Sequence, residues 1–146
     1  AVSRGLGDVY KRQLDEVPVG AVIIKNDTYE LISSGYNQMR SNKSSLDHAE
    51  MLALRSAMSR LNQERLIGCS MITTLEPCPM CAQAISYARL SSVSFSAEDV
   101  KSGGILHGPR IFDSSSCHHK PDVIRYDDDG KSRELLRKFF KSKRKK

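Results

Sequence analysis

Apolar and polar positions alternate along the chain in segments that predict strands first and then a helix. Two runs rich in β-branched side chains, at 19–25 and 29–37, flank a short polar turn and predict a β-hairpin. Residues 47–61 then place apolar side chains at helical spacing, which predicts an amphipathic helix with Asp47 as its N-cap. The pattern therefore begins with a strand–strand–helix unit.

The second half of the chain continues the alternation of strands and helices. It contains a short strand at 70–75, a helix at 78–90 and a strand at 91–97. Residues 101–130 are rich in Gly, Pro, Ser and Asp and predict a segment that is mostly loop, whereas 132–144 predict a closing amphipathic helix. This order predicts an α/β fold: a three-layer α-β-α sandwich in which helices cover both faces of a mixed central sheet.

Length and composition exclude several classes of protein. The 146 residues are enough for one domain with its own core, and the sequence has no apolar run long enough to predict a membrane span. No charged-then-apolar signal pattern occurs at the N-terminus, so we expect a cytoplasmic protein. In that compartment the four cysteines favour free thiols or metal ligands over a disulfide framework.

The net charge of +6 is concentrated at the C-terminus. Residues 137–146 hold seven of the 23 basic residues and no acidic one, which leaves 16 basic residues against 17 acidic ones elsewhere. Such a basic tail fits binding to a phosphate backbone, and it equally fits a solvated helix end that keeps the protein soluble. Composition alone leaves both interpretations open.

The first residues differ in character from the rest. Residues 3–13 back-translate into a nucleotide string that resembles a transposon-based sequencing adapter. We therefore interpret residues 1–13 as a non-native, adapter-like tract and expect a single functional domain at 14–146. Finding these codons contiguous with the gene at the source locus would contradict that interpretation.

Four residues at the beginnings of the two predicted core helices form a candidate metal site. Cys78 and Cys81 share one face of a helix N-terminus, where the dipole and the free backbone N–H groups lower a thiol pKa. His48 and Glu50 begin the other helix. Together they match the signature of zinc-dependent base deaminases, which have one His and two Cys ligands, an open position for water and a Glu that is not a ligand.

Three protein ligands and a water are typical of a catalytic zinc site, because a structural site closes all four positions. Zinc lowers the pKa of its bound water to roughly 7, and Glu50 is placed to move that water's protons. Each residue alone also has a structural interpretation. Asp47 and Glu50 fit a capping box, His48 fits an ordinary satisfied histidine, and the two cysteines fit a thioredoxin-like pair. Their combination at two helix N-termini favours catalytic zinc.

The motifs resemble those of the cytidine/deoxycytidylate deaminase superfamily, and most closely those of its bacterial tRNA-specific adenosine deaminases. The chain contains, in matching order and spacing, "DEVPVGAV", "GYN", "DHAEMLAL", "TTLEPCPMCAQAI" and "AEDVKSG". This resemblance runs from about Leu14 to about Gly103 and returns in the C-terminal helix. It implies a cytidine deaminase-like fold, one zinc ion per subunit and a homodimer, whereas the expectation of no membrane association comes from the lack of a long apolar run.

The resemblance also implies roles for individual residues. Zinc would be held by His48, Cys78 and Cys81, and Glu50 would be the catalytic proton carrier. Val17, Pro18 and Val19 would form a wall of the substrate pocket, and Asn37 would hydrogen-bond the base. Ala49 would offer its backbone N–H to the base, and Asp99 would lie near the flipped nucleotide. As structural alternatives, Val17 and Val19 fit a core strand and Asp99 fits a turn.

The sequence leaves the substrate open. The leading hypothesis is deamination of adenosine to inosine at the wobble position of a tRNA anticodon loop, where an unstacked base enters a pocket easily. The alternatives are a deaminase of free cytosine, guanine or adenine bases or nucleosides and, in another class, a non-catalytic zinc- and RNA-binding protein.

Two departures from the family pattern bear on the substrate. Tyr36 replaces the usual Trp, and residues 105–121 diverge from the family. Four residues of that loop fit a second metal site, a surface that solvates phosphates, or no functional role: His107, Cys117, His118 and His119.

Overall fold

The computed structural model describes residues 16–131 together with 133, 134, 137 and 141. In chain order its elements are β1 (Gly20–Lys25), β2 (Leu31–Tyr36), α1 (Ala49–Leu61), β3 (Cys69–Leu75), α2 (Pro79–Tyr87), β4 (Ser92–Ala97), a 3₁₀ turn (Ile111–Asp113) and β5 (Asp122–Arg125). Three predicted segments lie outside the described residues: the tract at 1–13, residues 14 and 15 of the predicted domain, and most of the basic tail.

The five strands form one mixed sheet in the order β2-β1-β3-β4-β5. β1 pairs antiparallel with both β2 and β3, so the predicted hairpin is confirmed. β3–β4 and β4–β5 are parallel pairs. The β3–α2–β4 segment is therefore a crossover unit, and its strands end at the same edge of the sheet, where loops carry functional groups in open α/β sheets.

Strand β5 lies within the 101–130 segment, which the sequence predicts to be mostly loop. Its four residues are all exposed, and their sequence has no buried, alternating face that would predict a strand. The strand forms because β4 offers a free edge, on which Val123 lies opposite Val93. Pairing with a neighbour, rather than local pattern, decides this element.

The core lies between the sheet and the two helices. Ala21 and Ile23 of β1 face α1 and belong to the main buried cluster. Val22 points to the opposite face because side chains alternate along a strand, and it is also fully buried. Both faces of β1 are thus buried, as a three-layer sandwich requires, and the predicted α/β class with a mixed sheet is confirmed.

Helix α1 begins one residue later than predicted. His48, with an extended backbone, is the N-cap, and Asp47 does not cap the helix. The Asp47 carboxylate instead accepts a hydrogen bond of 2.8 Å from the Asn42 side chain and lies 3.9 Å from Arg55. The capping box that would have made Glu50 structural is therefore not formed.

The predicted closing helix lies only partly within the described residues. Lys131, Arg133, Glu134, Arg137 and Lys141 are helical and exposed. Within the described part of the chain, no helix is both long enough and apolar enough to cross a membrane.

Candidate active site

The N-termini of α1 and α2 meet at one end of the sheet. His48 caps α1, and Cys78 caps α2 with Pro79 in the first turn, where its missing N–H is not needed. The Nδ1 atom of His48 lies 3.6 Å from Cys78 Sγ and 3.5 Å from Cys81 Sγ. Three side chains from two separate elements therefore point at one position.

Gly35 brings the first of these helices close to the sheet. A Cβ atom at this position would lie 2.4 Å from the Ala49 carbonyl oxygen and 2.9 Å from the Ala53 nitrogen. Only a residue without a side chain lets the first turn of α1 lie directly on β2. The glycine of the "GYN" motif thus sets the position of His48 relative to the sheet.

The three donor atoms fit a zinc ion. All three lie within 4.8 Å of one another. In a tetrahedral site with Zn–S bonds of about 2.3 Å and a Zn–N bond of about 2.05 Å, nitrogen and sulfur lie about 3.6 Å apart. The two distances from His48 agree with that value, and the donor set leaves one position of the tetrahedron open.

Hydrogen bonds within the triad prepare its sulfur atoms for a cation. Hydrogen bonds from the Cys81 thiol and from His48 lower the pKa of Cys78 to about 4, so Cys78 is the thiolate of the pair. The pKa of Cys81 is raised because its thiol donates to Cys78 and is buried. The hydrogen bond with Cys78 also raises the pKa of His48, which makes a further hydrogen bond with the Ser45 backbone. Metal binding at such a site releases the remaining protons.

Glu50 lies beside the triad without belonging to the group of donor atoms. Its side chain is 4% exposed, and burial raises the pKa of the carboxyl to about 7. A group with a pKa near neutral pH both accepts and gives up protons readily, which is the property of a general acid/base catalyst. Its environment is that of a proton carrier.

A cavity of about 210 Å³ opens over this constellation. It is smaller than the sites that hold drug-sized ligands, and it has room for a single flat base. Five of the six predicted substrate contacts line it: Val17, Val19, Asn37, Ala49 and Asp99. Pro18 is buried and does not line the cavity.

Two of the lining residues present hydrogen-bond donors. The side-chain oxygen of Asn37 accepts a hydrogen bond of 3.3 Å from the Met39 N–H, which orients the amide and leaves its nitrogen for a ligand. Ala49 occupies the first position of α1, whose N–H has no partner within the helix. Both groups suit the acceptor atoms of a heterocyclic base.

Asp99 combines its place in the cavity with a structural role. Its side chain accepts a hydrogen bond of 2.9 Å from the Ser102 N–H, and its carbonyl accepts one of 2.9 Å from Gly103. Asp99 is therefore a turn residue and a lining residue at once.

Two buried carboxylates that hold the loops around the cavity were not predicted from the sequence. Glu16 accepts hydrogen bonds from the backbone N–H groups of Arg40 and Ser41. Glu76 accepts hydrogen bonds from the 99–107 loop. Burial by itself would raise the pKa of Glu76, but hydrogen bonds from the His107 side chain and from backbone N–H groups lower it below its usual value. The sequence signal that could have identified Glu76 is its position as an acidic residue inside the otherwise uncharged "TTLEPC" segment.

The histidines of the divergent loop do not converge on a second site. His107 lies against Glu76, whereas His119 Nε2 contacts the Leu90 carbonyl at 2.6 Å and Cys117 contacts Ser86 at 3.4 Å. Among the described residues, the four do not form a group able to share a metal ion.

A larger cleft of about 600 Å³ shares no lining residue with the active-site cavity. It is lined by Arg125 and Arg133 together with Glu98, Asp127 and Asp128, so its charges nearly cancel. None of its lining residues is a His or Cys, so the metal chemistry belongs to the smaller cavity.

Comparison with known proteins agrees with this geometry. Residues 7–97 match the cytidine and deoxycytidylate deaminase zinc-binding region, which includes all four residues of the constellation. The chain is 42% identical over 130 residues to the tRNA-specific adenosine deaminase of Agrobacterium fabrum, covering 89% of this chain and 84% of that protein.

Two solved structures extend the comparison. One, from work on A-to-I editing by tRNA:A34 deaminases at the wobble position of transfer RNA, superposes with a TM-score of 0.82 at 38% identity and covers 90% of this chain and 93% of its own. Guanine deaminase from Bacillus subtilis is 32% identical, with a TM-score of 0.58, over 67% of this chain and 65% of its own. A match of the zinc-binding region over most of the chain, on a fold that places its residues together, establishes that the chain belongs to the cytidine and deoxycytidylate deaminase family.

Proposed function

We propose that the protein deaminates adenosine to inosine at the wobble position of a tRNA anticodon loop. The observation that carries this proposal is a base-sized cavity in which Glu50 lies beside the zinc-binding triad. The choice of a tRNA substrate is supported by the relative from Agrobacterium fabrum and by the superposition on the tRNA:A34 deaminase structure.

The reaction exchanges the exocyclic amine of adenine for the oxygen of a water. His48, Cys78 and Cys81 would hold a zinc ion, which would supply an acidified water for the reaction. The water oxygen bonds to C6 and the C6–N bond breaks. One water proton ends on N1 of the base and the other leaves with the amine as ammonia.

Glu50 moves these two protons. It takes one from the water and delivers it to N1, and then carries the second to the departing amine. A carboxyl with a pKa of about 7 changes protonation state in both directions at neutral pH. Its burial removes competing water and strengthens its contacts with the reacting atoms.

The other lining residues hold the base in place for this chemistry. Val17 and Val19 form an apolar wall against the ring face, and the buried Pro18 joins them in the chain. The Asn37 amide and the Ala49 N–H donate to ring acceptors. Asp99 also lines the cavity, where it lies near the flipped nucleotide.

The wider assembly follows from a tRNA substrate and from the family resemblance. The basic tail at 137–146 contacts the phosphate backbone, and the protein acts in the cytoplasm as a homodimer without membrane contact. Exposed apolar side chains support a partner surface, including Tyr87 at 72% and Ile67 at 69% exposure. Light scattering across a range of concentrations tests the dimer, which predicts twice the chain mass.

Deamination of a free base is the second candidate. The observation that favours it is the likeness to guanine deaminase of Bacillus subtilis, together with a cavity that encloses a base and little more. A non-catalytic zinc- and RNA-binding protein is less well supported, because a structural site has no use for a buried carboxyl beside an open coordination position.

Ammonia release by the zinc-loaded protein separates these functions. The substrates are an anticodon stem-loop with adenosine at the wobble position, the same stem-loop with guanosine there, and free adenine, guanine, cytosine and cytidine. We expect release from the adenosine stem-loop alone, with inosine identified by mass. Release from a free base alone would replace the proposal by the second candidate, and no release from any substrate would favour the non-catalytic one.

A further inference from the structure

Glu76 is the most heavily hydrogen-bonded carboxylate among the described residues. Its side chain is fully buried. Its Oε2 atom accepts backbone N–H hydrogen bonds from Ile105 at 3.1 Å, Leu106 at 2.9 Å and His107 at 3.1 Å. Its Oε1 atom accepts the Asp99 N–H at 3.2 Å and lies 2.8 Å from His107 Nδ1.

These five contacts come from the two ends of one loop. Asp99 begins the 99–107 loop and His107 ends it, so a single carboxylate gathers both ends. Glu76 lies two residues before Cys78, in the turn that leads into α2. The contact therefore joins the loop that lines the base cavity to the turn that presents the zinc ligands.

Two glycines let the loop lie directly on that turn. A Cβ atom on Gly103 would be 2.4 Å from Glu76 Oε2, and one on Gly104 would be 2.5 Å from the Pro79 nitrogen. The Gly104 N–H also donates a hydrogen bond of 2.8 Å to the Pro77 carbonyl. The loop is thus held against the ligand turn along its length.

We propose that Glu76 and His107 form a latch that positions the 99–107 loop on the zinc-ligand turn and so fixes Asp99 and Ser102 in the base cavity. Glu76 is a positioning residue, since it acts on the substrate through the loop. The kinetic part of this inference rests on the proposed function, whereas the structural part does not.

The chemistry of the contact calls for a carboxylate and not for an amide. All five groups around Glu76 point donor atoms at it, and a glutamine would turn an NH₂ donor toward some of them. The donors also use the lone pairs that a cation would need, which favours a hydrogen-bonded anchor over a second metal site formed with Glu98. The ring nitrogen of His107 adds a side-chain donor to Glu76, which an aliphatic residue at this position could not provide.

Four variants test the latch on the zinc-loaded, full-length protein. Glu76→Gln keeps the shape and removes one acceptor. His107→Ala removes the side-chain donor at a partly exposed position, so it tests the latch even if Glu76→Gln does not fold. His107→Asn restores an N–H near the position of Nδ1. His118→Ala is the matched control, because His118 is an exposed histidine of the same region.

Hydrogen exchange is the first readout, because it does not depend on substrate. We expect backbone amides at 99–107 to exchange about tenfold faster or more in Glu76→Gln and His107→Ala, as loss of a charged hydrogen bond implies. Amides of α1 and β1 keep their wild-type rates, zinc stays at one per chain, and His107→Asn lies closer to wild type than His107→Ala. Unchanged exchange at 99–107 in His107→Ala would overturn the latch.

Kinetics on the adenosine stem-loop is the second readout. We expect kcat/KM to fall in both latch variants mainly through a higher KM, because zinc and Glu50 keep their places. A faster-exchanging loop with unchanged kcat/KM would overturn the link to substrate positioning. If the wild-type protein leaves the stem-loop unreacted, the proposed function fails, and the exchange rates still decide the latch.

Discussion

Replacing Gly35 with alanine tests whether the close contact between β2 and α1 sets the zinc site. The new Cβ would lie 2.4 Å from the Ala49 carbonyl oxygen, whereas ordinary contacts begin near 3.4 Å. Helix and strand must therefore separate by about 1 Å. His48 and Glu50 move with the first turn of the helix, whereas Cys78 and Cys81 stay with β3 and α2.

The size of the effect follows from that displacement. Overpacking of a rigid core contact destabilises a protein by about 1–3 kcal/mol, which lowers the Tm of a chain of this size by about 2–4 °C per kcal/mol. A shift of about 1 Å in catalytic groups costs about a hundredfold in rate. The same shift changes the distances of 3.6 and 3.5 Å from His48 Nδ1 to the two cysteine sulfur atoms, which suit a tetrahedral zinc ion.

Three measurements on Gly35→Ala check this reasoning: thermal unfolding, bound zinc per chain, and kcat/KM on the adenosine stem-loop. Ser34→Ala is the control, because Ser34 is the exposed neighbour of Gly35 on the same strand. We expect the control to match wild type and Gly35→Ala to lose stability, zinc affinity and rate together. Wild-type zinc content and rate in Gly35→Ala would refute the idea that this contact positions the site.

Three further predictions concern the proton carrier, the tail and a buried thiol. Glu50→Gln should keep its zinc and lose about 10²–10⁴-fold in kcat, because the amide moves no protons. Ammonia release is measured beside the control Glu64→Gln, which changes an exposed glutamate. A wild-type rate in Glu50→Gln would contradict the catalytic role. Removing 137–146 should weaken RNA binding and reduce the slope of log K against log salt by up to about five, if all seven charges meet phosphates of a single strand. An unchanged slope, compared with a tail whose Lys and Arg are replaced by Gln, would assign the tail to solubility alone. Burial raises the pKa of Cys69, so the folded, zinc-loaded protein should hold less thiolate there than a free cysteine does. Iodoacetamide at pH 8 should therefore modify Cys69 only after unfolding. Rapid modification of Cys69 in the native state, located by mass spectrometry, would contradict this.

Local pattern was sufficient for most of the fold. The strands at 20–25, 31–36, 69–75 and 92–97 and the helices at 49–61 and 79–87 lie within a few residues of their predicted bounds. These elements bury a regular face, so their periodicity is written in the chain itself. β5 has no buried face, and the free edge of β4 determines it.

The helix start at His48 shows a second limit of local reasoning. Asp47 is a better N-cap by residue type, yet its carboxylate is engaged by Asn42 and Arg55. The same residue types allow both arrangements, and contacts with the preceding loop select one. That choice leaves Glu50 free to line the cavity.

The sequence by itself determined the chemistry that this protein has available: the identities and spacing of one His, one Glu and two Cys at two helix N-termini, and the family they indicate. The tertiary structure decided how these groups meet, which surfaces enclose them and which side chains hold the enclosure in place. Glu16 and Glu76 illustrate the difference, because their hydrogen-bond partners lie 23 to 31 residues away along the chain. Helix and strand patterns come from neighbours within a few positions, whereas the shape of a cavity comes from packing between distant segments, which no local spacing encodes.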